Sequence, residues 1–283
     1  MGTIRTTLRK LLRARPRPGL LGVAAIGPLL MAQCAPSCAP SAAVPGAPVY
    51  ANGSYVVNQN FVPGLYFSES GSPCYWERLS GLGGTLGEII ENDYSSGQHI
   101  VQILPTDAGF VSALCANWTQ FAPPVQPRVI GDGDWHMANQ MGANLWVAKP
   151  IGNCYWERAS GFTHSNEVIA NTTSNGRQLV VQTLPSDARF SSNGCGTWVP
   201  FNPPLRAVPI FDGDWDVARQ MGAGRWQANA PGECYWERAN GYTHVPGEII
   251  ASGAVASGGV VVDVAPSDVR FTSVGCGAWT RIG

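Results

Sequence analysis

The stretch CYWERLSG at residues 74–81 returns as CYWERASG at 154–161 and as CYWERANG at 234–241. The interval is eighty residues both times, so the chain reads as three copies of one unit. The match extends well beyond the octet. An aromatic stands nineteen residues before each first cysteine (Tyr55, Trp135, Trp215) and another eight before it (Tyr66, Trp146, Trp226). Downstream come LPTDAGF (104–110), LPSDARF (184–190) and APSDVRF (265–271). Each unit closes on Cys-x-x-Trp, at Cys115/Trp118, Cys195/Trp198 and Cys276/Trp279. All ten tryptophans fall on these repeated positions.

The Pro-rich stretches FAPPVQPRVI (121–130) and FNPPLRAVPI (201–210) separate the units as extended connectors. The expected organisation is a signal peptide (1–43), a short linker (44–50) and three domains at 51–122, 131–202 and 211–283, joined by linkers 123–130 and 203–210. In the first unit, seven short β-prone runs lie between Gly, Pro, Asn, Asp and Ser clusters: Ser54–Val57, Leu65–Ser68, Cys74–Leu79, Glu88–Glu91, His99–Leu104, Gly109–Ser112 and Ala116–Phe121. Short strands at such spacing predict an all-β fold, three tandem small β-sandwich or barrel-like domains. HMANQMGA (136–143) suits one turn of helix.

Six cysteines fall in the body, two per unit, separated by 41, 41 and 42 residues. An even count at repeated spacing in an exported chain predicts one intradomain disulfide per unit: Cys74–Cys115, Cys154–Cys195 and Cys234–Cys276. Closing such a loop restricts the unfolded chain by about 4 kcal/mol in the entropy model. That matters for a unit whose own core is small. No close Cys or His pair suggests zinc, and neither a metal nor a cofactor is expected. Asp132-Gly133-Asp134 and Asp212-Gly213-Asp214 offer oxygens to calcium but read better as turns before strands, since the first unit has Asn52-Gly53-Ser54 there.

Alternation along a strand puts Cys74, Trp76 and Arg78 on one face, and Tyr75 and Glu77 on the other. Arg78, Arg158 and Arg238 then have Asp107, Asp187 and Asp268 as candidate clamp partners. The same parity points Tyr75, Tyr155 and Tyr235, with Trp118, Trp198 and Trp279, away from the disulfides. These six are the candidate strip for stacking on sugar rings. A rival reading takes Glu77 and Asp107 as the paired carboxylates of a glycan-active hydrolase. Threefold replication of a whole catalytic site argues against it. Ser/His/Asp catalysis fares worse, because His164 and His244 have no counterpart in the first unit.

From Val44 onward there are 12 Lys and Arg against 19 Asp and Glu, a net charge of −7, which disfavours nucleic acid as a partner. The basic residues Arg5 to Arg17 precede an apolar run at 19–31 that suits a signal peptide and is too short to span a bilayer. Cleavage is expected after Ala43. Lipid anchoring at Cys34 or Cys38 is the alternative, and no transmembrane helix is expected in the mature chain.

The G-x-Y/W start, Pro63-Gly64-Leu65-Tyr66, the octet and the closing Cys-x-x-Trp together resemble modules of exported proteins and lipoproteins of actinobacteria. The resemblance covers 51–283; units two and three depart at PG-x-Y, with Trp146 and Trp226 preceded by other residues. It implies export and no established activity. The expected function is therefore a secreted or surface-bound, non-catalytic repeat protein that binds glycan or another cell-wall component. A structural spacer without ligand is the further alternative.

Overall fold

A computed structural model of the chain describes residues 46–121, 129–203 and 209–283. The expected signal peptide with Cys34 and Cys38, and parts of both Pro-rich linkers, lie outside these residues. The described residues are all-β apart from short helical turns, in three tandem domains with one disulfide each.

The third repeat shows the architecture most simply. Its four-stranded sheet runs Gly213–Asp216, Arg270–Val274, Cys234–Ala239, Ile249–Val255. A three-stranded sheet runs Gly258–Val264, Gly224–Ala230, Trp279–Arg281. The strands of both sheets pair antiparallel. In Gly224–Ala230 and Gly258–Val264 burial alternates residue by residue, as expected for strands with one face on a core. Trp226, Val262, Val264, Phe271 and Trp279 fill that core together with Cys234 and Cys276. The second repeat repeats the plan, with Asn153–Ala159 between Val168–Asn175 and Arg189–Asn193, and Leu179–Gln182, Leu145–Ala148 and Trp198–Pro200 forming the smaller sheet.

The first repeat differs in one respect. The separate runs expected at Leu65–Ser68 and Cys74–Leu79 belong to one strand, Gly64–Leu79, and those at Glu88–Glu91 and His99–Leu104 fall largely within Ile89–Ile103. The Gly-Ser-Pro stretch before Cys74 is a register shift inside the ladder, between Ser70 and Cys74, and not a turn. The helical turn expected within 136–143 is Met137–Met141, a single wide turn closed by the Gly142 N–H donating to Met137 O (2.8 Å), and Val217–Met221 matches it. Met137, Met141, Val217 and Met221 turn inward and cap the cores.

The described chain divides into two units. The first holds the first repeat together with Phe162–Ser165, and the second holds the remainder of repeats two and three. Among the described residues no helix is long and apolar enough to cross a membrane.

Candidate functional site

The three bridges Cys74–Cys115, Cys154–Cys195 and Cys234–Cys276 are formed, each with Cα atoms 4.5 Å apart. Asp132 holds the second cysteine of its unit. Its Oδ1 accepts from Cys195 N and Ser192 Oγ (3.0 Å each) and its Oδ2 from Gly196 N (3.1 Å). Asp212 does the same for Ser273, Cys276 and Gly277, and Asn52 Oδ1 accepts from Cys115 N. These carboxylates are thus engaged by protein donors, and among the described residues no group of three or more His, Cys, Asp or Glu could hold a metal ion.

The arginines of the octet clamp their aspartates through two parallel bonds. Arg78 Nε and Nη2 donate to Asp107 Oδ2 and Oδ1, both at 2.8 Å; Arg158 does the same to Asp187 at 2.7 Å. Arg238 reaches Asp268 at 2.6 and 3.0 Å. Each aspartate also accepts the backbone N–H three residues before it, from Leu104, Leu184 and Ala265. The planar fork thereby fixes the LPSD-type turn against the central strand.

The other face of the octet is also engaged. Tyr75 donates to Glu77 Oε2 (2.6 Å), Tyr235 donates to Glu237 Oε2 (2.8 Å), and Tyr155 pairs likewise with Glu157. Glu157 pairs with Arg189 (2.9 Å) and Glu237 with Arg270 (2.7 Å). Burial pushes the Tyr75 hydroxyl pKa up, as does Glu77 beside it.

Burial corrects most of the expected aromatic strip. Trp118, Trp198 and Trp279 are fully enclosed, edge-on to Phe110, Phe190 and Phe271 at 5.0–5.2 Å between ring centres. Parity from the cysteine failed because the Cys-x-x-Trp link is not strand: Gly196 and Gly277 take φ of +74° and +79°, and Trp198 and Trp279 open strands of the smaller sheets, while Trp118 opens a strand that pairs with the N-terminal half of Gly64–Leu79. Tyr75 is buried as well and Tyr155 half-buried. Tyr235, 38% exposed, keeps an open face.

Tyr235 lines a polar cleft of about 410 Å³ between repeats two and three, with Asn171, Thr172, Arg177, Glu237 and Arg270. Arg177 lies across it, donating to Ser273 O (3.3 Å) and Thr173 O (3.0 Å), and burial lowers its pKa. Arg270, buried in the cleft floor, spends Nη2 on Glu237, while its Nε and Nη1 have no partner among the described residues.

Beside the cleft lies a contact that the sequence reading missed. The loop at Tyr242–His244 caps the outer edge of Leu179–Gln182: Gln182 N donates to Tyr242 O (2.9 Å) and Arg158 Nη1 to Thr243 O (2.7 Å). His244 Nε2 lies 2.9 Å from Val180 O and 3.4 Å from Asp214 Oδ2. Both atoms are acceptors, so this nitrogen carries the proton. The ring stands edge-on to Trp156, 5.0 Å between centres. Asp214 Oδ2 also accepts from Val180 N (2.9 Å). Inside the first unit, Phe162–His164 make the matching set with Gln102, Arg78, Ile100 and Trp76. The available signal was the His present in two units of three, which marks a junction better than a catalytic group.

No curated protein matches the chain. The model of a family described as the Rv1352-like extracellular domain matches residues 47–119, 128–199 and 208–280. Those segments make up most of the sequence, and the chain therefore belongs to the Rv1352-like extracellular domain family, of which it carries three tandem copies.

Proposed function

We propose that this exported repeat protein is a non-catalytic binding module for a cell-envelope glycan, which it holds in the cleft between repeats two and three. The observation that carries the reading is Tyr235: it is the most open of the six repeated aromatics and borders a cleft walled by amide, hydroxyl and guanidinium groups. Sugars are taken by that combination, an aromatic face for the ring and fixed polar groups for its hydroxyls. A cleft of about 410 Å³ falls in the size range of small-ligand sites. The absence of catalysis is supported by the state of the carboxylates. Asp107, Asp187 and Asp268 are bound by the arginine fork, and Glu157 and Glu237 are paired with arginine and tyrosine. A hydrolase needs one carboxyl group to carry a proton and another to face the sugar.

The test is incubation of the full oxidised protein with purified cell wall and with soluble wall polysaccharide, reading pelleting and released reducing sugar together. Retention without release is expected, with about tenfold weaker retention for Tyr235→Ala. Released sugar overturns the non-catalytic reading. Retention that Tyr235→Ala leaves unchanged overturns the cleft, and no retention overturns glycan binding.

A further inference from the structure

The edge strand of a β-sheet presents unpaired backbone groups, and proteins cover, charge or pair such edges. In repeat two the edge strand Leu179–Gln182 is covered by the Tyr242–His244 loop, and Val180 there is 0% exposed. Ile100, its counterpart in the first unit beside His164, is equally enclosed. The counterpart in repeat three is Val261, on the edge strand Gly258–Val264, and it is 53% exposed. The other parts of the socket follow the same pattern. Trp76 and Trp156 are buried beneath a histidine, whereas Trp236 is only partly buried. Arg78 and Arg158 each give Nη1 to a threonine carbonyl, whereas Arg238 binds only Asp268 among the described residues and its side chain is 20% exposed.

We infer that the third repeat carries a protein-docking socket, formed by Arg238, Trp236 and the outer edge around Val261. Its occupant is a Gly-aromatic-Thr-His loop on another chain built from the same kind of repeat. The chemistry of the occupant is set by the two sockets already filled. Each takes an aromatic residue's carbonyl on a strand N–H, a threonine carbonyl on the arginine, and a histidine Nε2–H on a strand carbonyl, with the imidazole edge-on to tryptophan. The two loops of this chain that carry those residues are engaged within it.

The remaining loop, Gly81–Gly84, has the right backbone and the wrong side chains. Gly84 takes φ +76°, beside +62° for His164 and +59° for His244. A non-glycine residue in that region is strained, and the strain is present where the histidine is docked. Glu88 accepts from Gly83 N and Thr85 N, much as Glu248 accepts from Thr243 N and His244 N. With Gly83 and Gly84 in place of Thr and His, a second copy of this chain offers neither the imidazole nor its hydrogen bond. This blocks the open head-to-tail growth that a matched loop and socket would drive.

The test grafts the missing residues onto the full chain. The variant Leu82→Tyr/Gly83→Thr/Gly84→His is expected to associate head to tail as concentration rises towards about 100 µM, while the wild type keeps the mass of one chain in sedimentation. Adding Val261→Asp to the graft spoils its own socket but leaves its loop intact. That protein is expected to stay single alone and to bind wild type one to one, and not to bind wild type carrying Arg238→Ala. Gly84→His alone, the mildest change, serves where the triple variant fails to fold and is expected to associate more weakly. A folded graft that keeps the mass of one chain overturns the inference, as does association insensitive to Val261→Asp. Wild type that self-associates through Gly81–Gly84 overturns the requirement for histidine.

Discussion

Arg158 shows what one side chain of the octet does. It is almost wholly buried, spends Nε and Nη2 on Asp187, and gives Nη1 to Thr243 O across the junction with repeat three. Removing one member of a buried ion pair leaves the other charge uncompensated, at about 3–5 kcal/mol. Arg158→Ala is therefore expected to lower stability by that amount in urea unfolding. Arg238→Ala, at a partly exposed fork with one partner fewer, should cost visibly less. The tryptophans and Tyr235 separate by the same logic. Trp198→Ala empties an enclosed core position and should cost about 3–5 kcal/mol. Tyr235→Ala removes one hydrogen bond to Glu237 and should cost about 1–2 kcal/mol, less than Arg158→Ala or Trp198→Ala, while weakening glycan retention. The sequence showed the clamp because arginine and aspartate recur together in every unit. It misplaced the tryptophans because a parity count assumes strand between Cys and Trp, and the link is not strand in any repeat, with a left-handed glycine in two of them.

At the scale of elements, the edge strand Leu179–Gln182 depends on groups from repeat three, and Asp214 is the most sensitive of them. It is fully buried, and burial by itself would raise its pKa. His244, Arg270 and the Val180 N–H outweigh that and hold it at about 2, below its usual 3.8. A carboxylate depressed in the folded state contributes stability above its unfolded pKa and loses it as pH falls through the folded value. The contribution, about 2 kcal/mol from a shift of that size, should be complete above about pH 5 and gone below about pH 2. Amide exchange at Val180, whose N–H donates to Asp214, should report it: protection is expected to persist to about pH 3 and fail near pH 2. Asp214→Asn should remove this acid dependence. Strand positions were legible from turn residues and alternation, and the cysteine pairing from repeated spacing. The strand fusion in the first repeat was not legible, because a bulge and a turn use the same Gly, Ser and Pro residues.

At the scale of the whole molecule, tandem repeats gain stability from each unit and from each contact between neighbours. Each unit has its own core cluster and its own disulfide, so each can hold its fold, and the loop contacts decide whether neighbours unfold together. Such coupling leaves no periodic signature in sequence, because it joins residues 64 and 85 positions apart in different copies. His244→Gly isolates it. Glycine accepts the +59° φ without strain and reproduces the residue that the first repeat has at Gly84. The substitution therefore spares the turn and removes the imidazole from Val180 O, Asp214 and Trp156. In calorimetry, repeats two and three are expected to melt as one transition in the wild type and as two in His244→Gly, with both disulfides intact. Exchange should quicken at the Val180 and Gln182 amides, while the amides inside the Arg189–Asn193 ladder keep their protection. One unchanged transition in the variant would mean that the remaining contacts, the backbone bonds with those of Arg158, Arg177 and Asp214, couple the two repeats without the imidazole.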